Sequence, residues 1–431
     1  MEVEVSNLDH LGIISGMVDR LSLVKVVDSL IPSEKKVSHG LMVKALVKNA
    51  MGFSQQALYL TPEFMGRISL NHLLGEGLLA SDFNDDSVGR SLDALYAYGL
   101  SNLFVQLSHK ACKEMGVDSD FIHVDSTNFS LEGAYAGADG SDSVKICHGF
   151  AKSKRFDLKQ VTLGLLTTYQ SSIPRYMQSF DGNASDKESL SSMIKAYISC
   201  FEAGENGGIF ICDSGVYSAE NIKEELKMAD WITRVPETIK EVQVLRKNTK
   251  DADFKDVMGI AGYRFYATKS EYGGVSQRWL VIRFILATNV LDTNTLSNEK
   301  MIEAYKSQAT SVENGFKFLK DPIFFAESFF VKKPERLEAL LMIMAVSLLV
   351  YSLAERELQT QLKKHNETII NQDKRVAKKP TMRLVFNLFR GIHLVYMPEK
   401  QETFCTNLNE NHKKIIGFMG KEVAKYYFLA K

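Results

Sequence analysis

Two aspartates in this 431-residue sequence each follow a short apolar run. Asp125 comes after Phe-Ile-His-Val and before Ser-Thr-Asn, and Asp213 comes after Ile-Phe-Ile-Cys and before Ser-Gly. The apolar runs are typical of buried strands, whereas Ser, Thr, Asn and Gly favour turns. We therefore predict that each carboxylate lies where a strand meets a loop, with Ser126, Thr127 and Asn128 forming a turn that exposes Asp125.

The matched settings of these two aspartates point to a shared cation. If the two strands are neighbours in a sheet, Asp125 and Asp213 come close together, and two close carboxylates repel unless a cation neutralises them. Carboxylate oxygens are hard ligands, which favours Mg²⁺ or Mn²⁺. The five cysteines are scattered without a C-x-x-C pair, so no zinc ribbon or disulfide framework is indicated. Taken singly, each Asp is also typical of a solvent-facing cap at a strand end.

A third carboxylate for a two-metal site is best supplied by the segment AYKSQATSVENGFKFLKDPIFF. Glu313 in this segment is followed by Lys317 and Lys320, and on a helix these three residues share a face. Such a stripe is ordinarily a solvated set of ion pairs. The functional alternative is a metal-bound carboxylate with basic residues that bind phosphate. Glu303 and Glu327 compete with Glu313 for the third position.

The elements around the two aspartates predict a mixed α/β order. We expect an antiparallel meander of three strands, then a helix capped by Ser185 with Glu188 three residues on, a strand, a helix and a fifth strand. A hairpin around Gly273-Gly274 follows as part of a β-rich insertion. The five predicted strands cover 120–127, 158–169, 173–183, 207–215 and 229–236, and the helices cover 185–201 and 218–228.

The two ends of the chain are predicted to be mainly helical. Ser38 caps a helix that ends near Gly52, and NDDSVGRSLDALYAYG repeats the design with Asp or Ser caps and a stop at Gly99. A long apolar stretch from Leu337 is predicted to be a buried core helix. Its uninterrupted apolar part is short of the roughly 20 residues that a membrane span needs.

Composition fits a globular protein and excludes a simple polycation. Hydrophobic residues make up 45% of the chain, and Lys+Arg and Asp+Glu both number 52. Zero net charge argues against nucleic-acid binding by overall charge, but it allows segregated basic and acidic surfaces. The acidic, polar start of the sequence is unlike a secretory signal, and we expect a cytoplasmic protein with reduced thiols.

In order and spacing, these segments resemble the catalytic domain of DDE transposases, the RNase H-like enzymes of bacterial insertion sequences. The similarity is to the group with a β-rich insertion between the second Asp and the Glu, and with a Tyr–Arg–Glu–Lys signature around the Glu. The segments that carry it are IHVDST, KRFDLKQVTLGLL with FDGNASDKESL, IFICDSGVYSAENI, and ILATNV with YKSQATSVENGFKFLKDP. NDDSVGRSLDALYAYG resembles the N-terminal region of one branch of the group.

The resemblance implies an α/β fold with an RNase H-like catalytic core, a mixed five-stranded sheet with helices, interrupted by a β-rich insertion and preceded by a helical domain. The expected domains are an N-terminal helical DNA-end-binding domain (1–118), the first part of the core (119–236), the insertion (237–290), the second part of the core with the Glu helix (291–365), and a C-terminal helical and basic region (366–431).

The implied activity is two-metal hydrolysis of phosphodiester bonds at transposon ends, followed by transfer of the 3′-hydroxyl into target DNA. Asp125, Asp213 and Glu313 would hold two Mg²⁺ or Mn²⁺ ions. Tyr305 and Lys320 match the signature's Tyr and Lys, which bind the DNA end, and with Gln308 and Lys317 they complete the implied DNA-binding set. Gln308 stands at the Arg position, and its interval to the Glu is one residue longer than in the pattern. Lys306 and Lys317 are the candidates to replace the missing charge.

The implied partners are double-stranded DNA, as terminal inverted repeats and as target, and a second copy of the chain on that DNA. The expected location is the bacterial cytoplasm at the nucleoid, without membrane association. Two alternatives stay open. One is a catalytically inactive relative that only binds DNA, and the other is a metal-dependent nuclease or phosphatase without strand transfer. A phosphatase with an Asp nucleophile would need a second Asp where Thr127 stands.

Several other polar and aromatic residues are candidates for the site. Trp231 and Trp279 lie in or near the insertion, where related transposases stack a flipped base, but core packing is the favoured role for both. His123 and His148 are near the predicted site, and packing is likewise favoured for them. The basic run DKRVAKKPTMR is a candidate for contact with the DNA backbone.

Overall fold

The computed structural model describes most of the chain, namely residues 3–53, 60–117, 120–133, 135, 143–150, 154–169, 171–201, 208–257, 263–322 and 331–430. The helices are α1 (Leu11–Arg20), α2 (Leu23–Leu30), α3 (His39–Met51), α4 (Thr61–Arg67), α5 (Leu70–Leu74), α6 (Asp85–Tyr98), α7 (Leu100–Glu114), α8 (Asp186–Ile198), α9 (Lys240–Asn248), α10 (Asn298–Lys306), α11 (Gln308–Leu319), α12 (Pro334–Lys364), α13 (Met382–Leu388), α14 (Glu410–Met419) and α15 (Lys421–Ala424).

The strands are β1 (Glu4–Asn7), β2 (Phe121–Leu131), β3 (Lys159–Thr168), β4 (Pro174–Phe180), β5 (Ile209–Cys212), β6 (Trp231–Arg234), β7 (Lys255–Asp256), β8 (Arg264–Tyr272), β9 (Val275–Val281), β10 (Ile285–Thr288), β11 (Ile369–Ile370), β12 (Val376–Ala377), β13 (His393–Met397) and β14 (Glu402–Cys405). The chain divides into two compact units. One contains 1–117, 132–143 and 317–431, and the other contains 118–131 and 144–316.

The second unit is built on a sheet that has nine strands among the described residues, in the order β4-β3-β2-β5-β6-β10-β9-β8-β7. Within this sheet, β2 is antiparallel to β3 and parallel to β5, and β5 is parallel to β6. Strand β3 is in turn antiparallel to β4. The predicted meander, the two later strands and the mixed α/β class are therefore confirmed.

Strand β2 is longer than the sequence predicts, and the turn predicted at Ser126, Thr127 and Asn128 is wrong. These three residues continue the strand and pair with Gly164, Leu163 and Thr162 of β3. Local propensity favours a turn there, but ten consecutive pairings with β3 hold the backbone extended. Asp125 thus lies in the middle of β2, whereas Asp213 does follow the last residue of β5.

The strands predicted for a separate insertion extend the main sheet instead. The hairpin of β8 and β9 turns at Gly273-Gly274 as predicted, and β9 pairs with β10. Strand β10 also pairs with β6, so its two edges join the hairpin to the central strands. The predicted five-stranded sheet therefore corresponds to only part of a larger one, because β10 presents hydrogen-bonding groups on both sides.

Helix α10 covers one face of this sheet. Met301, Ile302 and Ala304 of α10 are completely buried in a cluster with Phe121 of β2 and Ile211 of β5. The same cluster includes residues of β6, β9 and β10. Apolar burial of this kind stabilises by roughly 25 cal/mol per Å² of area removed from water, so α10 is held on the sheet mainly by its apolar face.

The first unit is mainly helical, as predicted for its N-terminal part. Ser38 accepts a hydrogen bond from the amide of Leu41 and caps α3, as predicted, whereas α6 is capped by Asn84 and not by an Asp or Ser. Helix α12 packs against α3, α6 and α14. By length and hydropathy α12 is the one helix in the described ranges that would suffice to cross a membrane, and 89% of its most apolar window is buried inside the protein.

Lys48 of α3 is completely buried, and its amine has no hydrogen-bond partner among the described atoms. Burial, and then the charge of Lys44, lower the pKa of Lys48 well below its usual value, against a smaller opposing effect of Asp19. We expect Lys48→Met to raise the free energy of unfolding at pH 7 by about 1–2 kcal/mol, because an apolar side chain of similar size removes the cost of burying the amine. Urea unfolding measures this.

The matched control for Lys48 is Lys25→Met, which changes an exposed lysine on α2 and should leave the urea midpoint nearly unchanged. Below a pKa of about 10.4 the unfolded chain holds a proton on Lys48 that the folded chain lacks. The parent therefore becomes more stable as the pH rises toward that value, so the gain from Lys48→Met should shrink between pH 7 and about pH 10. An unchanged or lower midpoint in Lys48→Met at pH 7 would contradict the expectation.

His10 is a buried histidine, and we expect its protonation to destabilise this unit in acid. Its Nε2 lies 2.7 Å from the carbonyl oxygen of Met51, and its ring stacks on Phe386 with centroids 4.3 Å apart. Burial lowers the pKa of His10 from 6.5 to about 4. Between these two values the unfolded chain binds a proton that the folded chain does not, so stability is full above pH 6.5 and is lost as the pH falls toward 4.

We expect His10→Gln to reduce the loss of stability between pH 7.5 and pH 5 by an amount on the order of 2 kcal/mol, because Gln retains a hydrogen-bond donor but does not titrate. Urea unfolding at the two pH values measures the difference. The matched control is His148→Gln at an exposed histidine, which should keep the acid sensitivity of the unsubstituted chain. Equal acid sensitivity in His10→Gln would show that another group causes it.

A candidate carboxylate site on the central sheet

Sheet register places Asp125 and Asp213 side by side. Strands β2 and β5 are parallel, with Phe121 opposite Ile209 and His123 opposite Ile211. Continuing this register by two positions sets Asp125 level with Asp213. Neighbouring strands lie about 4.8 Å apart, and residues at alternate positions point to the same face. Both carboxylates are therefore on the face that α10 covers, where Phe121 and Ile211 also lie.

The thiol of Cys212, which precedes Asp213, is completely buried. Its pKa is raised mainly by burial, and the charges of Asp213 and Asp125 each raise it further. The thiol therefore stays protonated and is a poor metal ligand in this state. The local donor set for a cation consists of carboxylate oxygens, which suits a hard divalent ion such as Mg²⁺ or Mn²⁺.

Each carboxylate accepts a hydrogen bond from the backbone amide of the residue that follows it. One oxygen of Asp125 accepts from the amide of Ser126 at 2.7 Å, and one oxygen of Asp213 accepts from the amide of Ser214 at 2.7 Å. The hydroxyl of Thr233 on β6 donates to the carbonyl oxygen of Asp213 at 3.0 Å and fixes the end of β5. Asp213 is exposed and Asp125 is half-buried, so the pair is accessible from solvent.

The start and the end of α10 are both tied to the sheet. Arg278 of β9 is buried and donates to the carbonyl oxygen of Leu296 at 2.6 Å and to the side chain of Asn298, at the start of the helix. At the other end, the hydroxyl of Ser307 lies 3.2 Å from Nε2 of His123 on β2. Because both ends are held, α10 has a fixed position over the carboxylate face.

Tyr305, predicted to bind DNA, lies near Asp213. Its ring packs against Phe284 with centroids 5.6 Å apart, and the residue is half-buried. Burial raises the pKa of Tyr305 to about 12, and the charge of Asp213 contributes in the same direction. The phenol is therefore protonated at neutral pH and can donate a hydrogen bond next to the carboxylate pair.

The other predicted residues lie on or just after α11. Gln308 is the first residue of this helix and is half-buried, and Glu313 is exposed. Lys317 and Lys320 are exposed and belong to the other compact unit. Among the described residues, no group of three or more His, Cys, Asp or Glu side chains is placed to hold a metal ion. The β2–β5 register, continued by two positions, sets Asp125 level with Asp213, and the role of all three acidic residues as metal ligands stays a prediction.

The competing acidic residues have separate settings. Glu303 of α10 accepts a hydrogen bond at 2.9 Å from the hydroxyl of Tyr169, which gives it a structural partner. Glu327 lies outside the described residues. Sequence reasoning missed the supporting roles of Thr233, Tyr169 and Ser307. Only their contacts across the sheet reveal them, and no local pattern marks those contacts.

Packing accounts for both tryptophans and for one of the two candidate histidines. Trp231 and Trp279 are each 1% exposed, which confirms the prediction of core packing for both. The indole of Trp279 donates to Gln277 at 3.0 Å. His123 is completely buried, and burial lowers its pKa to about 4, so it is a neutral core residue at physiological pH. His148 is exposed.

Comparisons with known proteins give limited matches. A family model described as a domain of unknown function, DUF4277, matches residues 3–109. No curated protein matches the chain. Among solved structures, the chain is similar to piggyBac transposase in a synaptic complex with hairpin DNA, at 10% sequence identity and a TM-score of 0.43, over 90% of this chain and 83% of that chain. A similarity at this level does not define a function.

Proposed function

We propose that this protein is a DNA transposase of a bacterial insertion sequence, which cuts DNA at the transposon ends and joins the freed 3′-hydroxyl to target DNA. The observation that carries the proposal is the parallel register of β2 and β5, which, continued by two positions, sets Asp125 level with Asp213. The order β4-β3-β2-β5-β6, with β3 antiparallel and β5 parallel to β2, supports an RNase H-like core.

Asp125 and Asp213 would hold the divalent metal ions, with Glu313 as the proposed third ligand. Phosphate oxygens of the DNA and water would complete the coordination shell, as is usual for Mg²⁺. When bound, the two ions supply activation of the attacking oxygen and stabilisation of the leaving oxygen in an in-line displacement at phosphorus. The same chemistry serves hydrolysis by water and transfer of a 3′-hydroxyl.

The chain's own side chains would bind and orient the DNA. The phenol of Tyr305, which is protonated at neutral pH, would donate to a phosphate oxygen without adding charge. Gln308 would also donate to phosphate, and Lys317 and Lys320 would neutralise phosphates of the DNA end. The amides of Ser126 and Ser214 each donate to one carboxylate oxygen, which leaves the other oxygen of each Asp for a metal ion.

The proposal is tested with DNA that carries the sequences flanking the coding region. Purified protein with Mg²⁺ or Mn²⁺ should nick this DNA at the ends of the element and then join the 3′-ends to a second plasmid. Cutting without joining would indicate a metal-dependent nuclease. Binding without cutting, in a chain that keeps both aspartates, would indicate a DNA-binding relative. Sedimentation with and without DNA would test the proposed homodimer.

A further inference from the structure

Two phenylalanines lie together on the surface of the second unit. Phe150 is 81% exposed and Phe156 is 56% exposed, and their ring centroids are 6.2 Å apart with an interplanar angle of 54°. Single exposed apolar residues are common on protein surfaces, but a contacting pair of exposed aromatic rings is a feature of binding surfaces. Both residues belong to the connection between β2 and β3.

The backbone that carries Phe150 is firmly held. The side-chain amide of Asn128 on β2 donates to the carbonyl oxygen of Phe150 at 2.9 Å. Cys147 forms an antiparallel bridge with Gln160 at the start of β3. The amide of Lys145 donates to the carboxylate of Asp181 at 2.8 Å. The ring of Phe150 is therefore displayed on fixed backbone.

The two stretches of chain that carry the rings are rich in basic residues. The described residues 143–150 and 154–159 contain four basic residues and one acidic residue, Asp157. Arg155 forms an ion pair with Asp157 at 2.8 Å. Lys145 and Lys154 are exposed on either side of Phe150 in the sequence. Exposed aromatic rings among lysines are the arrangement that binds unpaired nucleotides, in which the bases stack on rings and the cations hold the phosphates.

We propose that Phe150 and Phe156 form a stacking platform for an unpaired base of DNA, with Lys145 and Lys154 binding the phosphates on either side. The proposal rests on the proposed function for the presence of DNA. A paired duplex does not fit, because its bases already stack on one another and leave no free face. Trp231 and Trp279 are buried and cannot take this role.

The platform and the proposed metal site are on different faces of the sheet. Asn128, which holds the backbone of Phe150, follows Asp125 by three residues on β2. Strand alternation points Asn128 to the face opposite Asp125. A base on the platform would therefore belong to DNA that reaches the other face of the sheet from the proposed metal site.

The test uses the full chain and two fluorescent DNAs, a duplex and the same duplex with an unpaired tail containing 2-aminopurine. The double variant F150A/F156A should bind tailed DNA about 5- to 100-fold more weakly and lose quenching of 2-aminopurine, because the stacking of the base disappears with the rings. Binding of the plain duplex should change less than about twofold. The matched control is F404A, at a Phe that is 41% exposed on β14.

The lysines have a separate readout. In K145A/K154A, the log–log slope of tailed-DNA affinity against salt concentration should become shallower by about 0.7 for each phosphate that is no longer neutralised.

Equal weakening of both DNAs in F150A/F156A, or no weakening at all, would overturn the platform. If the unsubstituted chain never cuts DNA but stacks the tail through the two rings, the platform stands and the proposed transposase fails. If F150A/F156A cuts DNA normally and quenches 2-aminopurine as the unsubstituted chain does, the platform is refuted and the proposed transposase is not.

Discussion

Replacing Asp125 or Asp213 with asparagine is expected to lower metal-dependent cleavage of the element's ends by about 10²- to 10⁴-fold, since metal ions at a reacting phosphate supply several kcal/mol. Asparagine preserves the shape of the side chain and can still accept from the amide of Ser126 or Ser214. It lacks the negative charge that a divalent ion requires. DNA binding should remain, because the proposed phosphate-binding residues are unchanged.

The same variants report on the metal without any reaction. Mn²⁺ should raise the unfolding temperature of the unsubstituted chain by binding the folded state, and this increase should disappear in D125N and in D213N. Without metal, each variant should be as stable as the parent or slightly more stable, because one of two repelling carboxylates is gone. The control is D230N, which changes an exposed Asp just before β6. Retention of more than about a tenth of the cleavage rate in D125N would refute the metal assignment.

The third ligand can be identified in the same assays. E313Q should match D125N in its loss of cleavage and of Mn²⁺ stabilisation if Glu313 completes the site. E303Q should keep both, since Glu303 already accepts a hydrogen bond from Tyr169. The opposite outcome would assign the third position to Glu303 on α10. Loss in neither variant would direct attention to Glu327, the remaining candidate.

Local patterns sufficed for much of this fold. The apolar runs that became β3, β5 and β6, the Ser38 cap of α3 and the turn at Gly273-Gly274 are determined by neighbouring residues in the chain. These features depend on periodicity and turn chemistry, which a sequence contains directly. Asp125 and Asp213 were predicted to be close because both were expected at strand ends. Asp125 instead lies within β2, and it is the register of β2 and β5, continued by two positions, that sets the two residues level.

Other features depend on partners that are distant in the sequence. The length of β2 follows from pairing with β3, which outweighs the turn preference of Ser126-Thr127-Asn128. The extension of the sheet to nine strands follows from the double pairing of β10. The exposure of Phe150 and the burial of Lys48 reverse the usual preference of each residue type, so composition predicts the opposite of what is found.

The segment that carries Phe150 depends on two glycines that leave room for close backbone contact. A Cβ on Gly149 would overlap the carbonyl oxygen of Gly182, and a Cβ on Gly182 would overlap the carbonyl oxygen of Gln160 and lie 2.6 Å from that of Cys147. The opposing atoms are main-chain atoms of paired segments and cannot move cheaply. We therefore expect Gly182→Val to lower the free energy of unfolding of this unit by about 3 kcal/mol or more. The added side chain would press on backbone atoms, which cannot rotate away as a side chain can.

Hydrogen exchange distinguishes local release from global loss in this variant. If the segment simply detaches, the amides of Lys145, Cys147 and Gln160 should lose protection while the amides of β5 and β6 keep theirs. Binding of tailed DNA should then fall as it does in F150A/F156A, with duplex binding retained. The control is Gly417→Val on α14, where nothing lies within 4 Å of the added Cβ and stability should change by about 0.5 kcal/mol or less. Normal protection of Lys145 and Cys147 in Gly182→Val would show that the close contact does not hold the platform.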